Sequence, residues 1–173
     1  MHPLFHPLFV DYCAYFNGNE DYFECHEVLE EYWKKIAPKD KKHVLVGYIQ
    51  IATGLYHWRR GNLIGATRTL TKAREILLQN TQSIFIEFIA LDELLLKIDN
   101  ALLQIASNLS FSSFQFPITN LELRSLVSEQ IKLIPYENLE FLVNKHMLRD
   151  RSLILQEREE SKIKKTANQS RPS

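Results

Sequence analysis

Apolar residues in the first half of the chain recur every three to four positions, the period of a helix with one buried face. Residues 8–16 predict a first helix, closed by Asn17-Gly18-Asn19, residues that tolerate the left-handed conformation at helix ends. Residues 21–36 predict a second, stopped before Pro38, whose ring and missing N–H disfavour continuation. A third, over 42–60, is apolar on nearly every side, with Val44, Leu45, Val46, Tyr48, Ile49, Ile51, Leu55, Tyr56 and Trp58, and so belongs at the centre of the fold. Gly61 ends it. Asn62 caps a fourth helix over 63–78, whose Leu63, Ala66, Leu70, Ala73 and Leu77 form one stripe.

Beyond Asn80 the pattern is weaker. Leu91, Leu94, Ile98, Leu102 and Ile105 mark another amphipathic helix, and 107–120, with Phe111, Phe114 and Phe116 among serines, reads as an irregular strap whose aromatics plug the core. Helical stretches over 121–133 and 137–156 flank Pro135. The expected fold class is all-α: a compact bundle or array of about five to seven helices built from αα-hairpins. Its expected organisation is a core domain over 1–110, a helical extension over 111–156 packed on it, and a disordered tail over 157–173, where charges mix with Ser, Thr, Asn and Pro. Tyr22, Cys25 and Leu29 match Leu63, Ala66 and Leu70 at an offset of about 41 residues, longer than the tetratricopeptide period of about 34. Two similar hairpins in one bundle account for this better than a repeat array.

Composition narrows the function. Lys plus Arg and Asp plus Glu both number 21, so the formal charge is zero and the basic field that nucleic-acid binding needs is missing. The two cysteines, Cys13 and Cys25, fit no CxxC spacing, which leaves neither a disulfide framework nor a four-cysteine zinc site. No apolar run approaches the roughly 18 residues of a membrane span, and 1–7 has no basic segment followed by an apolar one. A reduced, cytoplasmic protein without membrane or nucleic-acid partners is the expectation.

Candidate chemistry concentrates on the second helix. Tyr22, Cys25, Leu29, Tyr32 and Trp33 make one apolar arc, and His26 and Glu30 fall inside it one turn apart. A buried carboxylate needs a partner. On the third helix Gln50, Thr53, Gly54 and His57 share a seam, with Gly47 one step away, and that seam is expected to face the second helix. His26, Glu30 and His57 would then be candidate ligands for a divalent metal, Gln50 a ligand-binding residue, and Glu27 a candidate general base acting on bound water. The resemblance to HExxH is imperfect because position 30 is Glu, and no Glu-x-x-His pair suits a di-iron bundle. The same residues also read as a buried hydrogen-bond network fixing the register of two helices. Arg60, beside the start of the fourth helix, is a candidate anion contact, although Arg59 and Arg60 also suit the negative end of a helix dipole. The run His146 to Ser152 reads as a solvated face. His2 and His6 stand one helical turn apart, each followed by Pro, a poor setting for a metal site.

Phe16-Asn17-Gly18, Asp21-Tyr22-Phe23-Glu24-Cys25-His26-Glu27-Val28-Leu29-Glu30 and Trp33 resemble the opening motif of the bacterial family called domain of unknown function 309. Gly47-Tyr48-Ile49-Gln50-Ile51-Ala52, Leu55-Tyr56-His57-Trp58, Arg60-Gly61-Asn62 and Gly65-Ala66 resemble its second block. The resemblance is good over 8–80 and looser beyond. It implies an all-helical cytoplasmic bacterial protein with no established activity, whose shared polar positions fall on His26, Glu27, Glu30, Gln50, His57 and Asn62. Position 25 is Cys where the family commonly has Ala, so little hangs on that thiol.

Two functions therefore stand side by side. One is a nonenzymatic interaction module or homo-oligomer with the His26 to His57 network as internal structure, Phe111, Phe114 and Phe116 being candidates for the contact surface. The other is a metal- or small-ligand-binding enzyme, most plausibly hydrolytic, with its site between the second and third helices.

Overall fold

The histidine-proline pairs that open the chain set its first turns. In the computed structural model, which describes residues 1–169, Pro3 and Pro7 each occupy the first helical position, where the absent N–H costs nothing. The preceding His2 and His6 cap these turns through Nδ1, accepting from the backbone N–H of Leu4 and Leu8 at 3.1 Å each. A 3-10 turn over Pro3–Phe5 leads into α1 (Pro7–Ala14), then a π turn over Tyr15–Asn19, α2 (Tyr22–Ile36), α3 (Val44–Arg59) and α4 (Leu63–Gln79). After a 3-10 turn at Ile84–Ile86 come α5 (Leu91–Ala106), α6 (Leu121–Lys132), α7 (Leu139–Val143) and α8 (Lys145–Gln169). Among the described residues the fold is all helical apart from one isolated antiparallel bridge, Ile89 to Ile118.

The chain divides into two compact units, Met1–Glu137 and the residues from Asn138 onward. In the first, α1 packs on α2, α2 on α3 and α3 on α4, with α5 against α4 and α6 against α1. The apolar surround of α3 makes it central: Leu45, Tyr48, Ile51, Ala52 and Leu55 are fully buried. Gly47 and Gly54 let α4 approach, and a Cβ at Gly54 would stand 2.6 Å from Leu70 Cγ. These glycines face α4 rather than α2, which corrects the expectation for that side of the seam.

The strap over 107–120 does plug the core. Phe116 is 2 % exposed and packs edge-on to Tyr12 and Tyr48 at 5.4 and 5.0 Å, while Asn17 clamps its backbone, accepting from Phe116 N at 2.7 Å and donating to its carbonyl at 3.1 Å. Phe111 and Phe114 pack against the same core. Phe116 is therefore an interior anchor, and Phe111 and Phe114 are partly buried against the core rather than freely exposed.

Both hairpin corners are built alike. Glu20 (φ 56°) precedes the cap Asp21 as Gly61 (φ 80°) precedes the cap Asn62. The cap oxygens accept from Glu24 N at 3.1 Å and Gly65 N at 3.0 Å. The first corner is one residue longer: Asp21 N reaches back to Tyr15 O, whereas Asn62 N reaches His57 O. The π turn absorbs that residue.

In the second unit, the single helix expected over 137–156 is broken at Asn144, which ends α7 and whose side chain donates to Glu140 O at 3.2 Å. Helix α8 continues to Gln169 where the composition argued for an unfolded tail. Glu, Arg, Lys, Gln and Ala there are good helix formers, and Gln156 pairs with Glu160 one turn on. Residues 170–173 of that expected tail lie outside the described residues, as do the side chains of 149–155, which carry most of the run beginning at His146.

Candidate functional site

Helix α2 begins at Asp21, and one turn later its ionisable residues line up. His26 Nε2 lies 3.2 Å from Glu30 Oε2 and Nδ1 lies 3.3 Å from Glu27 Oε1. Lys34 Nζ reaches the other oxygen of Glu30 at 2.6 Å. The His26–Glu30 contact expected from their spacing is thus present. Its setting is not the interior: the side chains of His26, Glu27 and Glu30 are 35, 45 and 31 % exposed. The buried arc of α2 is centred on Cys25, Leu29 and Tyr32, and His26 and Glu30 flank it at the solvent edge. Lys34 carries a raised pKa, first through its hydrogen bond to Glu30 and then through that carboxylate's charge. All these contacts lie on one helix, in high dielectric, where solvent screens them strongly.

His57 and Thr53 of α3, expected to join them, make bonds of their own. His57 Nδ1 is 3.2 Å from Asn62 Nδ2, and Asn62 N donates to the His57 carbonyl at 2.9 Å, so this imidazole takes part in the α3–α4 corner. Gln50 is half-buried and its side chain makes no hydrogen bond among the described residues, and Thr53 donates to its own helix at Ile49 O. Among the described residues no group of three or more His, Cys, Asp or Glu is arranged to hold a metal ion. His26 and Glu30 thus stand at the solvent edge rather than inside a buried network, and His57 meets the corner residue Asn62. Helical periodicity placed each residue on the proper face of its own helix, but could not fix how the two helices rotate against each other. Glu27 meets His26 through Oε1 at 3.3 Å.

Arg60 closes α3, its guanidinium over the Tyr56 ring at 5.6 Å, while the first turn of α4 is capped by Asn62. The more deeply engaged arginine is Arg59. Its Nη1 donates to Glu20 O at 2.9 Å and its guanidinium lies over Tyr22 at 4.8 Å and Phe111 at 5.8 Å. It therefore ties the end of α3 to the first corner and to the strap. The neighbouring Trp58 donates from Nε1 to Leu109 O at 3.3 Å. An arginine in a last helical turn is explained by the dipole alone, which hid this role.

Sequence reasoning also missed three imidazole caps. His43 caps α3, its Nδ1 accepting from Leu45 N at 3.0 Å, just as His2 and His6 cap the two turns before it. Histidine is outside the usual capping set, although Pro at the first helical position after His2 and His6 was a usable signal.

The geometry of the two corners, with the paired caps and the His26–Glu30 edge, occupies one continuous stretch. Residues 9–69 match the family described as Domain of unknown function (DUF309). A relative from Bacillus subtilis (strain 168), called Uncharacterized protein YpuF, is 36 % identical over 166 residues, covering 90 % of this chain and 94 % of that protein. The chain belongs to the DUF309 family. No solved structure matches it. Among the described residues no helix is long and apolar enough to cross a membrane.

Proposed function

We propose that this DUF309 protein is a nonenzymatic cytoplasmic helical module that pairs with a second copy of itself through the outer face of α5. The observation that carries this reading is the placement of Leu96 and Leu103. They are 60 and 68 % exposed and stand two turns apart, on the face opposite the buried Leu94, Ile98, Ala101 and Ile105. Such a stripe is self-complementary across a two-fold axis. Zero formal charge removes the long-range repulsion that would keep copies apart. In this reading the His26, Glu30 and Lys34 ladder braces α2.

Sedimentation velocity over a range of concentrations tests it. The full chain is expected to self-associate, and the L96E/L103E variant to remain a monomer with unchanged circular dichroism. A full chain that stays monomeric throughout overturns the reading, and so does stoichiometric zinc retained by untagged protein and lost in His26→Ala, which would restore a hydrolytic site around Glu27.

A further inference from the structure

Three of the six histidines do the same job in the same part of the molecule. His2 stacks on Phe88 with ring centroids 4.0 Å apart, His6 stacks on Tyr32 at 4.1 Å, and His43 meets the edge of Phe85 at 4.6 Å. Phe85 and Tyr32 are themselves in contact at 6.4 Å, and Phe5 packs on Phe88 at 5.4 Å. Tyr32 donates to Pro3 O at 2.8 Å, and Leu4 is fully buried. Residues 2–6 therefore form a strap held down by imidazole stacking, one hydroxyl and one leucine.

Each of these rings uses Nδ1 as an acceptor from a backbone N–H. An acceptor nitrogen carries no proton, so the three rings share one tautomer, neutral with the proton on Nε2. In His2 that Nε2–H points to Glu87 Oε2 at 3.0 Å. An imidazolium carries a proton on both nitrogens, and in the present rotamer its Nδ1–H would meet the capped N–H head-on. The cap and the charge are mutually exclusive.

We propose that protonation of His2, His6 and His43 uncaps the Pro3–Phe5 turn, α1 and α3 together and releases the strap over residues 2–6 from Phe88 and Tyr32, making this face an acid-sensitive latch. The charged and titratable groups beside the rings differ. Glu87 faces His2, its Oε2 3.0 Å from Nε2, a contact that the protonated ring keeps. Asp40 lies near His43 and favours its charged form, but burial outweighs it and holds that imidazole below its ordinary value. His6 faces the Tyr32 ring, whose hydroxyl burial pushes up and keeps neutral. The latch therefore yields as pH falls, and burial makes His43 harder to protonate than a free imidazole.

Amide hydrogen exchange, corrected for the intrinsic effect of pH, tests the latch at Leu4, Leu8 and Leu45. Protection at Leu4 and Leu8 is expected to fall roughly fivefold or more between about pH 7.5 and about pH 5.5, the worth of one cap, and at Leu45 at a lower pH, because burial resists charging His43. In the H2N/H6N/H43N variant, asparagine caps without titrating, and protection is expected to be independent of pH. Nitrogen-15 shifts of the imidazoles in the unmodified chain give a second reading, expected to show the Nε2–H tautomer for these three rings at about pH 7.5. An Nδ1–H tautomer, unchanged protection at the lower pH, or an equal loss in the asparagine variant would each overturn the proposal.

Discussion

Asp11 shows what a single side chain costs when nothing meets it. It lies half-buried on α1, makes no side-chain hydrogen bond among the described residues, and burial raises its pKa above 3.8. A carboxyl raised in this way favours folding below its ordinary value and loses that contribution as pH rises through the folded value. Asp11→Asn is therefore expected to melt higher than the parent near neutral pH, with the gap closing as both are taken toward about pH 3. Thermal denaturation at a series of pH values reads this directly. The candidate site teaches a related lesson. Spacing alone identified the His26–Glu30 pair, because i and i+4 are neighbours on any helix. It did not identify the pair's exposure, which depends on where the neighbouring helices sit.

The caps govern at the level of elements. Asp21 and Asn62 occupy equivalent corners, with φ near −82° in both and ψ of 77° and 78°. Asp21→Ala and Asn62→Ala are each expected to lower stability by about 1 kcal/mol, and the double variant by nearly the sum, since the cap oxygens accept from different amides, Glu24 N and Gly65 N. Chemical denaturation of the three variants measures this. Helix positions were legible for α1 to α6 because each combines a period with a stop signal, such as Pro38 or Gly61. Two features escaped. Asn144 breaks the last helical stretch without glycine or proline, and the π turn at Tyr15–Asn19 hides within residues that read as an ordinary helix end. His43, Arg59 and the strap phenylalanines were visible as residues, but their partners come from elements distant in sequence, and no local pattern encodes those.

Within the first unit, one core spans every helix from α1 to α6. Cys13 and Cys25 lie inside it, fully buried, and burial raises both thiols far above their ordinary range. Neither is expected to react with iodoacetamide in the native chain except through global opening, so both should be alkylated at the same slow rate, tracking denaturant-induced unfolding. Mass spectrometry of the two peptides checks it; rapid labelling of one thiol alone would show that the core opens in parts. The two left-handed corners carry a longer consequence. The bends differ by a single residue beside Asn19, and the chain makes room for it by widening the coil. Deleting that residue should give a chain whose halves obey a single spacing throughout, and its folding would show whether the widened coil is dispensable or a working part.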